Sequence, residues 1–317
     1  MTVIAYLFAV LKSVIYGTTV FFTSSLTEST DVLDVLALRF LMSFVVMWVL
    51  KVTRVLHISV SVKDFFVKNT RSRAVKTLLL TALFEPVLYM LFETLGVSMT
   101  TNITAGVILS LGAVTSCIFE IVFLHEDSTL LQKLFLALGI FGTIFIAVNT
   151  DTTTGKDTVW GIIFVFLAVV MGSLFAVFSR KSSRAFSPME VTYVSCMLGA
   201  VVFNSVNVVR HIVVGDITRY FAPYCSVENL IGFAFLAILS TIVATGMNNF
   251  ALSKLQSSTM AAFGGISTLV TIAVGVFFGG EHLELYHVIG IAFIVLRMVG
   301  VSFIAIRRDR QKQEKSK

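Results

Sequence analysis

Six charged residues fall inside long apolar segments, where charge is rare. They are three bases and three acids: Lys12, Arg39, Arg297, Glu85, Glu93 and Glu120. A charge at the centre of a bilayer costs at least about 2.5–3.5 kcal/mol on insertion scales, so each needs a partner or a watery cavity. Two interpretations stay open: closed ion pairs that fix helix register, or groups that gate or line a pathway.

The depth of each charge limits which groups can meet. Lys12, Glu85 and Arg297 each lie about nine residues, or roughly 14 Å, from the same face of the apolar layer. Arg39 and Glu93 share a second level near the opposite face. The levels predict that Glu85 pairs with Lys12 or Arg297, and that Arg39 pairs with Glu93. In the functional interpretation, Glu85, Arg39 and Lys12 serve in proton coupling or gating.

A polar stripe runs along one predicted helix. Glu85, Tyr89 and Glu93 are spaced i, i+4, i+8, which places them on one helix face. A polar face in lipid must contact protein or water. Pro86 follows Glu85 and removes a backbone hydrogen bond, so a kink is expected there.

The elements that position these residues are membrane-spanning helices. Of 317 residues, 56% are hydrophobic and 13% charged, with a mean hydropathy of +0.92, whereas soluble domains carry about 25% charged residues. About 20 apolar residues span a bilayer. Ten such windows occur, at about 3–23, 34–52, 76–97, 102–124, 130–149, 158–178, 188–210, 228–251, 257–279 and 284–306. We predict an all-α integral membrane protein of ten spans, with an interfacial piece around Val62–Val67 left open.

The chain also repeats itself at a distance of 155 residues. Tyr16-Gly17-Thr18 recurs as Met171-Gly172-Ser173, and Phe123 through Glu126 recurs as Phe278 through Glu281. Each copy holds five spans, and an odd number inverts the second copy relative to the first, as in many secondary transporters. We therefore predict a first repeat at 1–150, an inverted repeat at 151–308 and a basic cytoplasmic tail at 309–317.

The repeat extends the polar stripe to the second half. The position equivalent to Glu93 is Asn248, which Asn249 follows. We expect Tyr89, Glu93, Asn248 and Asn249 to contact substrate in a central cavity, with Tyr16 of the first span.

Charge placement gives the orientation and excludes other roles. Most of the 24 basic residues fall on one side of the predicted spans, which places both termini in the cytoplasm. The formal charge of +6 then reflects topology, so we expect no nucleic-acid partner. The sequence has no HExxH, GxSxG, P-loop, CxxC or GxGxxG pattern, so we predict no enzyme, no cofactor and no metal site.

The fourth and ninth predicted spans are rich in small and hydroxyl residues. These residues are Ser110, Gly112, Thr115, Ser116, Gly264, Gly265, Ser267, Thr268 and Thr271. Close helix packing explains such residues. The alternative is that their hydroxyl and backbone groups line a substrate path.

Short motifs occur at Tyr16-Gly17, Leu38-Arg39-Phe40-Leu41, Gly172-Ser173-Leu174-Phe175-Ala176 and the acidic turns at Glu126 and Gly280-Glu281. Together they resemble the drug/metabolite transporter superfamily, in particular its ten-spanning EamA-type exporters. Two features depart from the family pattern. Ala113 and Thr268 stand where a proline is common, and Arg297 stands where glycine is common in the last span.

The resemblance implies a central cavity that opens alternately to each side and moves small metabolites, amino acids or drugs outward, often against protons. We therefore expect a secondary transporter of the plasma membrane whose partners are a small-molecule substrate and membrane lipid, with a homodimer left open. A flippase for lipid-linked substrates and a non-transporting membrane scaffold are the alternatives.

Overall fold

A computed structural model describes residues 2–56, 58, 70–124, 130–149, 157–183, 185–255 and 257–315. Every regular element in these ranges is helical. The α-helices are α1 (Thr2–Ser29), α2 (Val32–Val52), α3 (Thr70–Ala82), α4 (Tyr89–Ser98), α5 (Asn102–Leu109), α6 (Gly112–Leu124), α7 (Leu130–Asn149), α8 (Val159–Ser182), α9 (Pro188–Val214), α10 (Val227–Ala234), α11 (Thr245–Leu252), α12 (Ser257–Phe277) and α13 (Leu285–Lys315).

These helices form ten apolar helical segments, some of which contain more than one helix, and we number these segments as spans in chain order. Six stretches are long and apolar enough to cross a membrane: Val3–Ser29, Val32–Val52, Lys76–Ser98, Val159–Ser179, Pro188–Val214 and Val227–Leu252. Four shorter apolar helices supply the fourth, fifth, ninth and tenth spans: Asn102–Ser116, Ala137–Ile146, Phe263–Phe277 and Leu285–Gly300. The predicted all-α membrane fold is confirmed.

The packing of the spans follows the repeat. The first span packs against the ninth, and the equivalent sixth span packs against the fourth. The third packs against the sixth, and the eighth against the first. The second and seventh pair with each other, as do the fifth and tenth. Two copies related by a two-fold axis produce this pattern of neighbours.

Three spans are interrupted near the middle of the bundle. The third contains a π-helical stretch at Leu83–Leu88, and the equivalent eighth contains one at Phe235–Ala244. Glu85 has extended backbone angles (φ −140°, ψ 118°), as the following proline favours. The fourth span breaks between α5 and α6, whereas the equivalent ninth is one continuous helix despite Gly264-Gly265. The two halves therefore differ at this pair of spans.

The helix boundaries follow local sequence signals. Asp31 caps α2 by accepting from the Leu33 amide at 2.9 Å. The α9 helix begins with a capping box between Ser187 and Glu190, and Gly215, whose φ is 82°, caps its C-terminus. The segment around Val62–Val67 lies outside the described residues. The predicted tail continues the last helix up to Lys315.

Candidate functional site

A cavity of about 190 Å³ lies between the two halves, and both contribute to its walls. Its charged or strongly polar lining residues are Lys12, Tyr16, Glu85, Tyr89, Glu93 and Asn248. Six of the eight residues predicted to act in binding, coupling or gating therefore face one space. Drug-sized ligands occupy pockets of about 300–1,000 Å³, so this cavity suits a smaller molecule.

The third span supplies two carboxylates to this cavity. Its kink frees the Glu85 carbonyl, which accepts a bond from Ser195 Oγ at 3.4 Å. The Tyr89 hydroxyl donates to Glu93 Oε1 at 3.0 Å, while Glu93 Oε2 is buried and has no hydrogen-bond partner among the described residues. Gly172 leaves room for the Tyr89 ring, because a Cβ there would lie 3.0 Å from Tyr89 Cδ2. An unpaired carboxylate oxygen in such a place can bind a proton or a ligand donor.

The first span faces these acids with a cation and a phenol. Lys12 Nζ lies 5.4 Å from the centroid of the Tyr16 ring. The Tyr16 hydroxyl is 3.1 Å from Thr245 Oγ1 of the eighth span. One turn further on, Thr19 Oγ1 donates to Ser240 Oγ at 2.9 Å. These bonds fix the first span to the eighth along the cavity wall.

Arg39 lies behind the cavity wall rather than in it. The side chain is fully buried, and its Nε and Nη2 donate to Thr241 Oγ1 at 2.9 Å and to Ser240 Oγ at 3.1 Å. Ser240 lines the cavity, so Arg39 orients a lining hydroxyl from the second span.

The predicted ion pairs are not formed in this conformation. Among the described side chains, no salt bridge joins Glu85 to Lys12 or Arg297, or Arg39 to Glu93. Lys12 and Glu85 line the same cavity without coming within ion-pair distance, Arg39 donates to Thr241 and Ser240, and Arg297 donates to the Ser110 carbonyl. The side chain of Glu120 lies outside the described residues.

The adjacent Asn248 and Asn249 separate into two roles. Asn248 lines the cavity, but Asn249 is fully buried away from it. Asn249 Nδ2 donates to Thr192 Oγ1 at 3.0 Å, and its Oδ1 accepts from Ser179 Oγ at 2.9 Å. Asn249 does not line the cavity because consecutive helical residues point about 100° apart, and its expected contact with substrate stays a prediction.

The small and hydroxyl residues of the fourth and ninth spans serve both predicted purposes. Those that line the cavity are Ser110, Gly112, Ser116, Gly264, Ser267, Thr268 and Thr271. Gly265 serves packing instead, since a Cβ there would lie 2.2 Å from Met298 Sδ. Thr115 is hydrogen-bonded to Ser173, another lining residue.

Comparison with known proteins decides the family. The EamA-like transporter family matches this chain twice, over residues 3–148 and again over 159–303. The chain belongs to that family. The resemblance drawn from its motifs is confirmed, and the matched relatives are transporters rather than enzymes.

One sequence relative and one solved structure are similar to this EamA-like protein over most of its length. It is 29% identical over 296 residues to the "Uncharacterized transporter YcxC" of Bacillus subtilis (strain 168), an alignment that covers 93% of this chain and 92% of that protein. A structure titled "Crystal structure of protein" has a TM-score of 0.66 at 17% identity, covering 96% of this chain and 98% of the other. That structure supports the fold alone.

Two carboxylates of this EamA-like chain that sequence reasoning did not single out as site residues hold the start of the fourth span. Glu281 accepts from the Asn102 amide at 2.7 Å, from Asn102 Nδ2 at 2.6 Å and from the Ile103 amide at 2.9 Å. Asp157 accepts from the Thr101 amide at 2.7 Å. Carboxylates stabilise helix N-termini. The sequence showed the acidic turn before the tenth span, but it did not show that Glu281 binds the start of the fourth span.

Proposed function

We propose that this protein is a secondary transporter that exports a small polar or amphipathic metabolite, such as an amino acid or related compound, by alternating access. The main support is the cavity between the halves, to which Lys12, Glu85 and Glu93 bring charge without forming a salt bridge to any described residue. A scaffold would gain nothing from leaving these charges unpaired. A lipid flippase would need a groove large enough for an acyl chain, and a cavity of about 190 Å³ is too small for one.

The shape of the cavity supports loading from the cytoplasm. Its lining reaches Leu252 and Met260, at the ends of the eighth and ninth spans that we assign to the cytoplasmic side of the plasma membrane. Toward the opposite side, Phe22 and Phe235 stack with ring centroids 4.3 Å apart. An exporter resting with its site open inward would have this arrangement.

We assign roles on the same basis. Tyr16, Tyr89, Glu93 and Asn248 contact substrate, and Glu85 and Lys12 act in proton exchange or gating. Arg39 acts through Ser240, and Asn249 holds the eighth span against the sixth and seventh. The unpartnered Oε2 of Glu93 is the atom best suited to exchange a proton or bind an ammonium group.

A thermal-shift screen tests binding. Purified protein is heated with amino acids, nucleosides, polyamines and quaternary amines, each at two pH values. A ligand at 100 times its Kd stabilises the folded state by about 2.7 kcal/mol, which raises Tm by a few degrees. The expected hit disappears in Glu93→Gln and persists in Glu228→Gln, a matched change at an exposed acid outside the cavity. A stable sample without a hit at either pH argues against the metabolite class.

Transport assays in proteoliposomes test the coupling. The hit is loaded inside vesicles, and its movement is followed between pH 6 and 8 with and without a proton gradient. Glu85→Gln and Glu93→Gln should lose the gradient dependence. If both variants transport normally under the gradient, neither carboxylate couples protons to transport. The thermal-shift screen then still tests whether Glu93 binds the substrate.

A further inference from the structure

The fourth span breaks where it meets the cavity. Helix α5 ends at Leu109 and α6 begins at Gly112, and both Ser110 and Gly112 line the cavity. Interrupted spans expose backbone and hydroxyl groups in the middle of a membrane, where such groups need partners. Ser110 Oγ is buried and has no partner among the described residues.

Arg297 reaches this break from the last span. Its Nη1 donates to the Ser110 carbonyl at 2.6 Å, and the side chain is almost fully buried. Among the described residues it forms no ion pair, and its Nε has no partner. A buried cation that has no counter-charge among the described residues is costly, so the position of Arg297 against a cavity-lining residue calls for an explanation.

Gly139 of the fifth span provides the passage for this side chain. A Cβ at position 139 would lie 2.1 Å from Arg297 Cδ. Gly142, one turn further along the fifth span, contacts the same tenth span through Phe293 and Gly290 but does not contact Arg297. The guanidinium therefore depends on one glycine and can be displaced without changing Arg297 itself.

Helix α5 is held at both ends by charges of the favourable sign. Glu281 and Asp157 bind its N-terminal side, and Arg297 binds the carbonyl just past its C-terminus. This placement complements the helix dipole. All three charges come from the second half of the chain, so the break is fixed by the opposing half.

We propose that Arg297 is a positioning residue that fixes the break and makes the Ser110–Gly112 edge of the cavity electropositive, so that this edge receives a carboxylate of the transported compound. The third span brings Glu85 and Glu93 to the same cavity and the first span brings Lys12, so these three residues carry a net formal charge of −1. A substrate with an acidic group at one end and a cationic group at the other matches this distribution. The inference rests on the proposed transport function, because it names the substrate class of the same cavity.

Thiol labelling tests the charge at the break without a known substrate. In a variant whose native Cys117, Cys196 and Cys225 are replaced by alanine, Ser110→Cys is reacted with an anionic and a cationic methanethiosulfonate. Rates are normalised to those with a free thiol. The anionic reagent should be favoured over the cationic one on the order of tenfold, as expected beside an unscreened unit charge.

Variants of Arg297 and of its passage separate charge from folding. The preference should vanish in Arg297→Gln and persist in Arg297→Lys. Gly139→Ala displaces the guanidinium and should also abolish the preference, whereas Gly142→Ala disturbs the same pair of spans and should keep it. Each variant is used only if it elutes as a single species and shows a cooperative thermal transition. If Arg297→Gln does not fold, the comparison of Gly139→Ala with Gly142→Ala tests the inference.

Two results would overturn the inference. One is an equal reagent preference with and without the guanidinium, and the other is a Ser110→Cys thiol that reacts with neither reagent. A second probe, Asn248→Cys, separates these results from a failure of the proposed function. If the thiol of Asn248→Cys reacts while either result holds for Ser110→Cys, the water-filled cavity stands and only the role of Arg297 is refuted. If neither introduced thiol reacts, both proposals fail.

Discussion

Replacing Glu281 by glutamine should release the start of the fourth span. The carboxylate accepts from two backbone amides that have no partner within their own helix. Glutamine keeps one acceptor oxygen but presents an NH2 group to the other amide. The variant thus loses one charge-assisted bond, worth about 1.5–3 kcal/mol. It also loses the attraction between a carboxylate and a helix N-terminus, about 0.3–1 kcal/mol.

The sum is about 2–4 kcal/mol, which corresponds to a change of 30-fold to several hundred-fold in the local opening equilibrium. Hydrogen–deuterium exchange of the Asn102 and Ile103 amides measures it directly, since these amides are the donors. We expect their exchange in Glu281→Gln to accelerate by that factor, while helices remote from the fourth span keep wild-type rates.

Glu284→Gln is the matched control, because Glu284 is an exposed acid only three residues away. Its exchange pattern should equal that of the wild type. If the two amides exchange at the wild-type rate in Glu281→Gln, then the carboxylate does not hold the helix and the reasoning is refuted. Faster exchange throughout the protein would instead indicate global destabilisation, which also contradicts a local clamp.

Three further pairs of substitutions have predicted outcomes. Asn249→Ala should lower the free energy of unfolding by about 1–3 kcal/mol, measured by thermal denaturation, because two buried hydroxyls lose their partner; Asn248→Ala should cost less stability but weaken ligand binding. Gly17→Ala should destabilise by about 1–3 kcal/mol through overpacking, since its Cβ would lie 2.6 Å from the ninth span, whereas Gly112→Ala meets no atom within 4 Å and should leave Tm unchanged. Arg39→Lys should not restore both hydroxyl contacts, because lysine lacks the planar fork, so its Tm should fall toward that of Arg39→Met.

The sequence was sufficient to predict which helix faces are polar but not how the helices are rotated against one another. Spacing alone placed Glu85, Tyr89 and Glu93 on one face, and the repeat extended that face to Asn248. Their contact with substrate stays a prediction. The rotation of each helix depends on packing contacts between distant segments, and for this reason the sequence did not show that Arg39 donates to Thr241 and Ser240.

The sequence also did not show what Arg297 contacts. Its depth was readable from the sequence, and the absence of the usual glycine marked it as unusual. Its contact with Ser110 depends on a gap at Gly139 and on a break in the fourth span, and neither has a signature of its own. The ninth span is continuous through Gly264 and Gly265 although glycine weakens a helix, so the position of the break could not be inferred from glycine content.

The bond between Asn102 and Glu281 joins residues 179 positions apart. Ribosomes add about 5–20 residues per second, so Glu281 is synthesised about 10–40 s after Asn102. During that interval the fourth span is already made, while two of the charges that will hold its ends do not yet exist. A newly synthesised first half therefore stays in the bilayer with a short helix that lacks these two charged partners. We expect the chain to be most sensitive to proteolysis during this interval of its biogenesis.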